Sequence, residues 1–340
     1  TCSSPNPSFD QRNENFNLWG WDCSAIFDFG FVLVFMAKTE RWGKKFNDKR
    51  DWIGYNAKLI KRGEWFFDFS FLDNISQELK QMNQNKVGRP YKYTDSFIEF
   101  ESKLQPYFDY RSIQGICKAL SEKISGFPVN HYSNACRRVN SLDLALPDID
   151  FDKPIYVGND GSGIKVSNRG EWMRHKWKVR RGWIKAVITV DVESKKLLEI
   201  EVFDKGESEP DIFGRHIDEL AKKGAKIRKG CGDGAHDKRE LFNKFEEYGI
   251  EQALKPRNNA STKARGSISR AREVRKFKEL SYKEWANQKE YGMRWATEGK
   301  FSSVKRKFGE TVRSTKKNNM IEEAKRKFIL YERMMAYVEG

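Results

Sequence analysis

Residues 291–305 read Tyr-Gly-Met-Arg-Trp-Ala-Thr-Glu-Gly-Lys-Phe-Ser-Ser-Val-Lys. Four of them, Tyr291, Arg294, Glu298 and Lys305, stand at offsets 0, 3, 7 and 14. At roughly 100° per residue these fall at about 0°, −60°, −20° and −40°, so a helix here carries all four on one narrow face. Phe301, Val304 and Phe308 fall at roughly −80°, −140° and −100°, an adjacent apolar stripe that can dock on a sheet. The segment therefore predicts a helix with one edge buried and the other presenting a carboxylate among an aromatic hydroxyl and two cations. From Tyr291 to Lys305 is about 21 Å along the axis, enough to follow several nucleotides. A solvated charged face is the simpler alternative, but such a face rarely sets a lone Glu between Tyr, Arg and Lys beside a core stripe.

Upstream of that helix the texture is mixed α/β. Ile155–Val157 and Ile164–Val166 read as short strands on either side of a Gly-Ser-Gly turn. Trp183–Val192 and Leu197–Val202 are β-rich runs joined by a hairpin turn at Glu193-Ser-Lys-Lys. Pro210 opens a helix to about Lys222, and a strand from Ala225 to Cys231 leads into Gly232-Asp-Gly. A helix from about His236 to Tyr248 and a strand near Ile250–Leu254 follow. Three strands followed by alternating helix and strand predict a mixed sheet flanked by helices. Asp160 is placed just after the first strand and Asp233 just after a later one. Strand ends in α/β sheets converge on one crevice. Two carboxylates there, without a cluster of His or Cys, suit a hard cation such as Mg²⁺; Asp in a Gly-rich turn is the plain alternative. His216 reads as structural; His236, close to Asp233, can touch a site there, with a helix-capping or surface role the plainer reading.

Asp95–Asp143 reads as all-helical, with Thr94 or Asp95 as a cap. Helical spacing runs over Tyr110–Ile124, a Ser-Gly-Phe-Pro turn follows, and His131–Leu142 is a short helix carrying Arg137 and Arg138. Helix, Gly-containing turn and basic helix is the order of a helix-turn-helix DNA reader; a small bundle without a DNA role is the alternative. The chain of 340 residues carries a net charge of +16, and the charge is concentrated. Residues 255–317 hold 19 Lys+Arg against 6 Asp+Glu, and Asn168–Lys185 hold 7 against 1, so the remainder is net negative. Such segments are the footprint of a polyanion, most simply nucleic acid. Five cysteines without a CxxC pair argue against a disulfide framework and a cysteine-built zinc site. The apolar run Ala25–Phe35 is too short to span a bilayer. Residues 1–35 read as an upstream extension outside the fold, with Met36 the expected start.

The spacing Tyr-x2-Arg-x3-Glu-x6-Lys resembles the YREK signature of insertion-sequence DDE transposases, the family-four and family-five group. The neighbourhoods of Asp160 (NDGSGIKV) and Asp233 (CGDGAHD) resemble that group's first and second catalytic Asp. Gly161-Ser162 departs from the more usual Ser-Thr. The resemblance covers most of the chain from Met36. It implies an RNase H-like catalytic domain whose triad is Asp160, Asp233 and Glu298. That triad would hold two Mg²⁺ ions, with Mn²⁺ able to substitute, for cleavage and strand transfer at transposon ends. It also implies that Tyr291, Arg294 and Lys305 hold DNA phosphates, with Arg174, Lys176, Arg180 and Arg181 tracking the strand. The organisation that follows is an N-terminal arm over 36–93, a helical DNA-binding domain over 94–145, and the catalytic domain over 151–315. That domain carries a basic insertion at 255–280, and a C-terminal helix follows over 316–340. The expected partners are double-stranded DNA, terminal inverted repeats and target DNA, with a homodimer in the synaptic complex and no membrane. The expected location is cytoplasmic and nucleoid-associated. A Mg²⁺ nuclease that cleaves without joining and a domesticated DNA-binding protein are the competing functions.

Overall fold

The structure is a computed structural model that describes residues 39–41, 44–46, 49–166, 182–204 and 206–340. The chain divides into two units, 1–52 and 53–340. In the first, β1 (Thr39–Arg41) and β2 (Lys44–Phe46) pair as an antiparallel hairpin. The expected extension, residues 1–35, and Met36 lie outside the described residues.

The second unit is built on a mixed sheet. β3 (Ile155–Val166), β4 (Trp183–Asp191) and β5 (Leu197–Phe203) form an antiparallel meander. β6 (Ile227–Gly232) and β7 (Glu251–Leu254) add in parallel on the other side of β3, giving the order β5-β4-β3-β6-β7. The helix α6 (Glu209–Lys222) connects β5 to β6 and α7 (Arg239–Glu247) connects β6 to β7; α1 to α5 are described below. Strand alternation sorts the two faces. Ile184, Ala186, Ile188 and Val190 pack with Phe301, Val304, Phe308 and Phe328. Those aromatic and aliphatic partners come from α10 (Trp295–Phe308) and α11 (Lys317–Glu339). On the opposite face Val157 and Leu198 pack with Phe213, Ile217, Phe242 and Phe245 of α6 and α7. Between β7 and α10 lie α8 (Ile268–Glu279) and α9 (Tyr282–Gln288). No helix among the described residues is long and apolar enough to cross a membrane.

One strand departs from expectation. The two short strands and Gly-Ser-Gly turn foreseen at 155–166 are a single twelve-residue strand, paired with β4 from Val157↔Asp191 to Lys165↔Trp183. The glycines serve close approach rather than a turn: a Cβ on Gly163 would lie 2.8 Å from the Trp183 ring. Asp160 is therefore inside a strand, opposite Ile188, and not at its end. Turn propensity was overridden by cross-strand pairing.

That strand also outruns its parallel neighbour. β6 leaves β3 at Gly158↔Cys231, and β8 (Thr311–Val312) rejoins it only at Lys165↔Thr311. Between those points the sheet has a notch, and Asp160 sits in it.

Ahead of the sheet lies a helical layer. It comprises α1 (Trp52–Glu64), α2 (Phe71–Asn83), α3 (Asp95–Leu104), α4 (Tyr110–Ser121) and α5 (Tyr132–Ser141). Thr94 caps α3 as expected, accepting from the Phe97 N–H at 3.2 Å, and Asp109 caps α4. The core of this layer is aromatic: Phe69, Phe71, Phe97, Phe100 and Phe127 meet at centroid distances of 5.5 to 6.4 Å. α11 ties the layer to the sheet. The Arg326 guanidinium donates to the Val139 carbonyl at 2.8 Å, and Arg333 pairs with Glu99 at 2.7 Å.

Candidate active site

Three elements bring carboxylates to the notch. Asp160 comes from the middle of β3, Asp233 from the turn after β6, and Glu298 from the first turn of α10. Arg294 links two of them, donating to Asp160 Oδ2 at 3.3 Å and to Glu298 Oε1 at 2.5 Å. Asp160 is largely buried, and burial is the main cause that raises its pKa above the ordinary carboxylate range. Asp233 and Glu209 push it the same way; Arg294 and the Gly161 N–H oppose them. Asp233 is held down to about 2, chiefly by its hydrogen bond from His236. Glu298 is exposed, with 58% of its side-chain surface accessible.

The expected single helix over 291–305 is broken. Tyr291–Arg294 is a 3₁₀ turn, and α10 begins at Trp295. Tyr291 consequently leaves the shared face. It is buried, its ring 5.1 Å from that of Trp285, with burial pushing its hydroxyl pKa up. Arg294 lies over the Tyr291 ring at 5.9 Å, so the tyrosine supports the arginine from beneath. Lys305 closes the far side of the notch, donating to Ser162 Oγ at 2.7 Å and to the Gly163 carbonyl at 3.0 Å. This satisfies backbone that no neighbouring strand reaches.

Instead of capping a helix or lying on the surface, His236 is fully buried and bonded to Asp233. A chain of side chains explains why. The Asn159 amide donates to the Ile188 carbonyl and to Thr189 Oγ1, which leaves Asn159 Oδ1 as an acceptor. His236 Nε2 is hydrogen-bonded to that oxygen at 2.8 Å, and Nδ1 to Asp233 Oδ1 at 2.9 Å. Thr189 in turn donates to His216 Nδ1 at 2.8 Å, and burial holds His216 neutral, down to about 3. His216 is structural, as expected. Asn159, Thr189 and Glu209 escaped the sequence reading; the only signal was Asn159 standing beside Asp160 on the opposite face of a strand.

The remaining candidates separate. Arg137 is exposed on α5. Arg138 is engaged: it pairs with Asp95 at 2.6 Å and lies 4.5 Å over the Tyr91 ring. Arg174, Lys176, Arg180 and Arg181 lie outside the described residues.

As a donor set, carboxylate oxygens suit a hard divalent cation, and Cys231 is buried against Tyr156 rather than turned toward the carboxylates. Asp237 is likewise withdrawn, bonded by Arg270 at 2.5 Å. A Cys/His/Asp zinc site is thus absent from this turn. The carboxylates present fit a divalent cation.

Residues 157–332 match the family model described as Transposase DDE domain, and residues 60–169 match a second model of the same description. Among solved structures, the chain is similar at 11% identity to a piggyBac transposase synaptic complex with hairpin DNA, over 82% of this chain and 75% of that one, TM-score 0.31. It is similar at 11% identity to a Mos1 transposase paired-end complex with left transposon end, over 66% and 80%, TM-score 0.24. A chain of a simian T-cell lymphotropic virus intasome matches at 11% identity and TM-score 0.23 over 55% of this chain, which spans 62% of that one. The first family match runs from β3 into α11, takes in just over half of the sequence and encloses Asp160, Asp233 and Glu298, so the chain belongs to the transposase DDE domain family, a family of DNA-cleaving and DNA-joining enzymes.

Proposed function

We propose that this chain is an insertion-sequence transposase that cleaves DNA at the ends of its element and joins those ends to target DNA. The observation that carries the reading is the meeting of Asp160 and Glu298 through Arg294 beside Asp233, in a chain of this family. The three-stranded meander extended by two parallel strands supports an RNase H-like fold. Asp160, Asp233 and Glu298 would hold the two Mg²⁺ ions, for which Mn²⁺ can stand in. Bound there, they would supply positive charge for the transferring phosphoryl group and for activation of the attacking water or 3′-hydroxyl. The chain's own residues do the rest. Lys305 and Arg294 set positive charge on either side of the carboxylates, where phosphates would lie. The His236–Asn159–Thr189 chain fixes the Asp233 carboxylate from behind, so no rotamer search precedes the reaction.

α4 and α5, with the turn between them, would read the terminal repeat in the manner of a helix-turn-helix, and a dimer would hold the two ends together. The basic stretch with Arg174, Lys176, Arg180 and Arg181 would track the strand. The two arginines of α5 are expected to behave differently. Arg137→Ala should lower the salt slope of end binding by about one unit, the loss of one phosphate contact. Arg138→Ala should leave that slope unchanged and cost about 1 kcal/mol of stability, because its partners are Asp95 and Tyr91. Binding titrations at several salt concentrations, with thermal melts, separate them.

The test of the function is incubation with DNA carrying the element's ends, a target duplex and Mg²⁺. Cleaved and joined products together support transposition. Cleavage without joining makes the chain a nuclease, and end binding without cleavage a DNA-binding protein only.

A further inference from the structure

Glu209 opens α6 with Pro210 behind it, yet its side chain does not reach into solvent. Only 11% of that side chain is exposed, and it is ion-paired with Lys185. Ligand atoms of Glu209, Asp233 and His236 all lie within 4.8 Å of one another. His236 cannot serve as a ligand there, since Asn159 and Asp233 take both of its nitrogens. What remains is two carboxylates from different elements facing one another at the notch, next to Asp160.

The room for this arrangement is made by a missing side chain. A Cβ at position 161 would lie 2.5 Å from Glu209 Oε1 and 2.8 Å from Lys185 Cε. The space a side chain at 161 would fill is the space Glu209 enters. Charge points the same way. Asp160, Asp233, Glu209 and Glu298 together carry four negative charges, the charge of two divalent cations, whereas three carboxylates would leave a surplus. Arg294 pairs with both Asp160 and Glu298, and Lys185 with Glu209.

We propose that Glu209 is a fourth carboxylate of the metal centre, sharing a divalent cation with Asp233, in the cradle that Gly161 leaves open. This rests on the metal-dependent reading above. It is tested on the full chain without DNA by titrating Mn²⁺ and following free Mn²⁺ by electron paramagnetic resonance, a readout that needs no turnover. Glu209→Gln removes the charge, and Gly161→Ala displaces the carboxylate without altering any ligand. Each should weaken Mn²⁺ binding about tenfold or more, since even outer-shell partners of a metal are worth roughly 10–100-fold. Each should also retain cooperative unfolding in the presence of a chelator, because the atoms a new Cβ meets at 161 are the ends of flexible side chains. Mn²⁺ affinity unchanged in both variants but weakened in Asp233→Asn would overturn the role of Glu209 and leave the metal centre standing. No saturable Mn²⁺ uptake by the wild-type chain would overturn the metal reading itself, and this inference with it.

Discussion

Glu298→Gln should bind transposon-end DNA at least as tightly as the wild type while cleavage and joining both fall by about 10³-fold or more. The estimate is the several kcal/mol that a metal ion contributes to an in-line displacement, at 1.36 kcal/mol per decade. Gln keeps the shape of the side chain and removes the charge a cation needs. It also weakens the grip on Arg294 NH2, now held at 2.5 Å, so the guanidinium gains freedom to meet phosphate. Gel shifts and single-turnover cleavage measure the two effects separately. A wild-type cleavage rate would remove Glu298 from the triad. The neighbouring acids are poor substitutes, for Glu290 is held by Lys229 at 2.9 Å and Glu310 is paired with Lys165. Lys305→Ala should show the opposite split, with weaker DNA engagement and a shallower salt dependence.

Glu101 governs the second large effect. It is fully buried in α3, accepts from the Asn130 amide at 2.9 Å through one oxygen, and has no partner for the other. Burial pushes its carboxyl up from the ordinary 4.5 to about 7. In the unfolded chain the group ionises near the ordinary value, so between pH 4.5 and 7 only the unfolded state gains charge. Stability from this group is thus full below pH 4.5, falls by about 3 kcal/mol as pH rises to 7, and is flat above. Glu101→Gln removes that loss but leaves an amide N–H unpaired at a cost of about 1 kcal/mol. The variant should therefore be more stable than wild type by about 2 kcal/mol at pH 8, with no gain at pH 4.5. Denaturant melts at the two pH values check the sign; equal stability differences at both would place the carboxyl back in its ordinary range.

The sequence made the framework legible because its signals were periodic or local. The stripe Phe301, Val304 and Phe308 does dock on the sheet, and the order of strands and helices from Trp183 onward follows the pattern of apolar runs. Where the reading failed, the cause was tertiary. Gly-Ser-Gly looked like a turn until β4 was known to lie alongside it. Tyr291 left the common face because the chain tightens to a 3₁₀ turn against Trp285. Glu209 carries no motif, and only folding brings it to Asp233; His236 stands three residues from Asp233, but its burial against Asn159 comes from the fold. Net charge misled in a subtler way. Within the basic stretch 255–317, Arg270, Lys289 and Lys300 are bound to Asp237, Glu273 and Glu332, so part of an apparent patch is internal wiring.

α11 ties the sheet to the helices. Its grip has a mechanical meaning. Arg326 and Arg333 clamp α5 and α3, while Phe328 of the same helix is seated among the strand side chains, so one rod is bolted to both bodies. The hydroxyl of Tyr107, in the loop after α3, adds a second bolt at the Lys307 carbonyl, 2.9 Å away. On the proposed reading, in which the helices hold a duplex, the same frame would measure that duplex off against the carboxylates, and which phosphodiester lies at the notch would be set by the spacing between the two bodies.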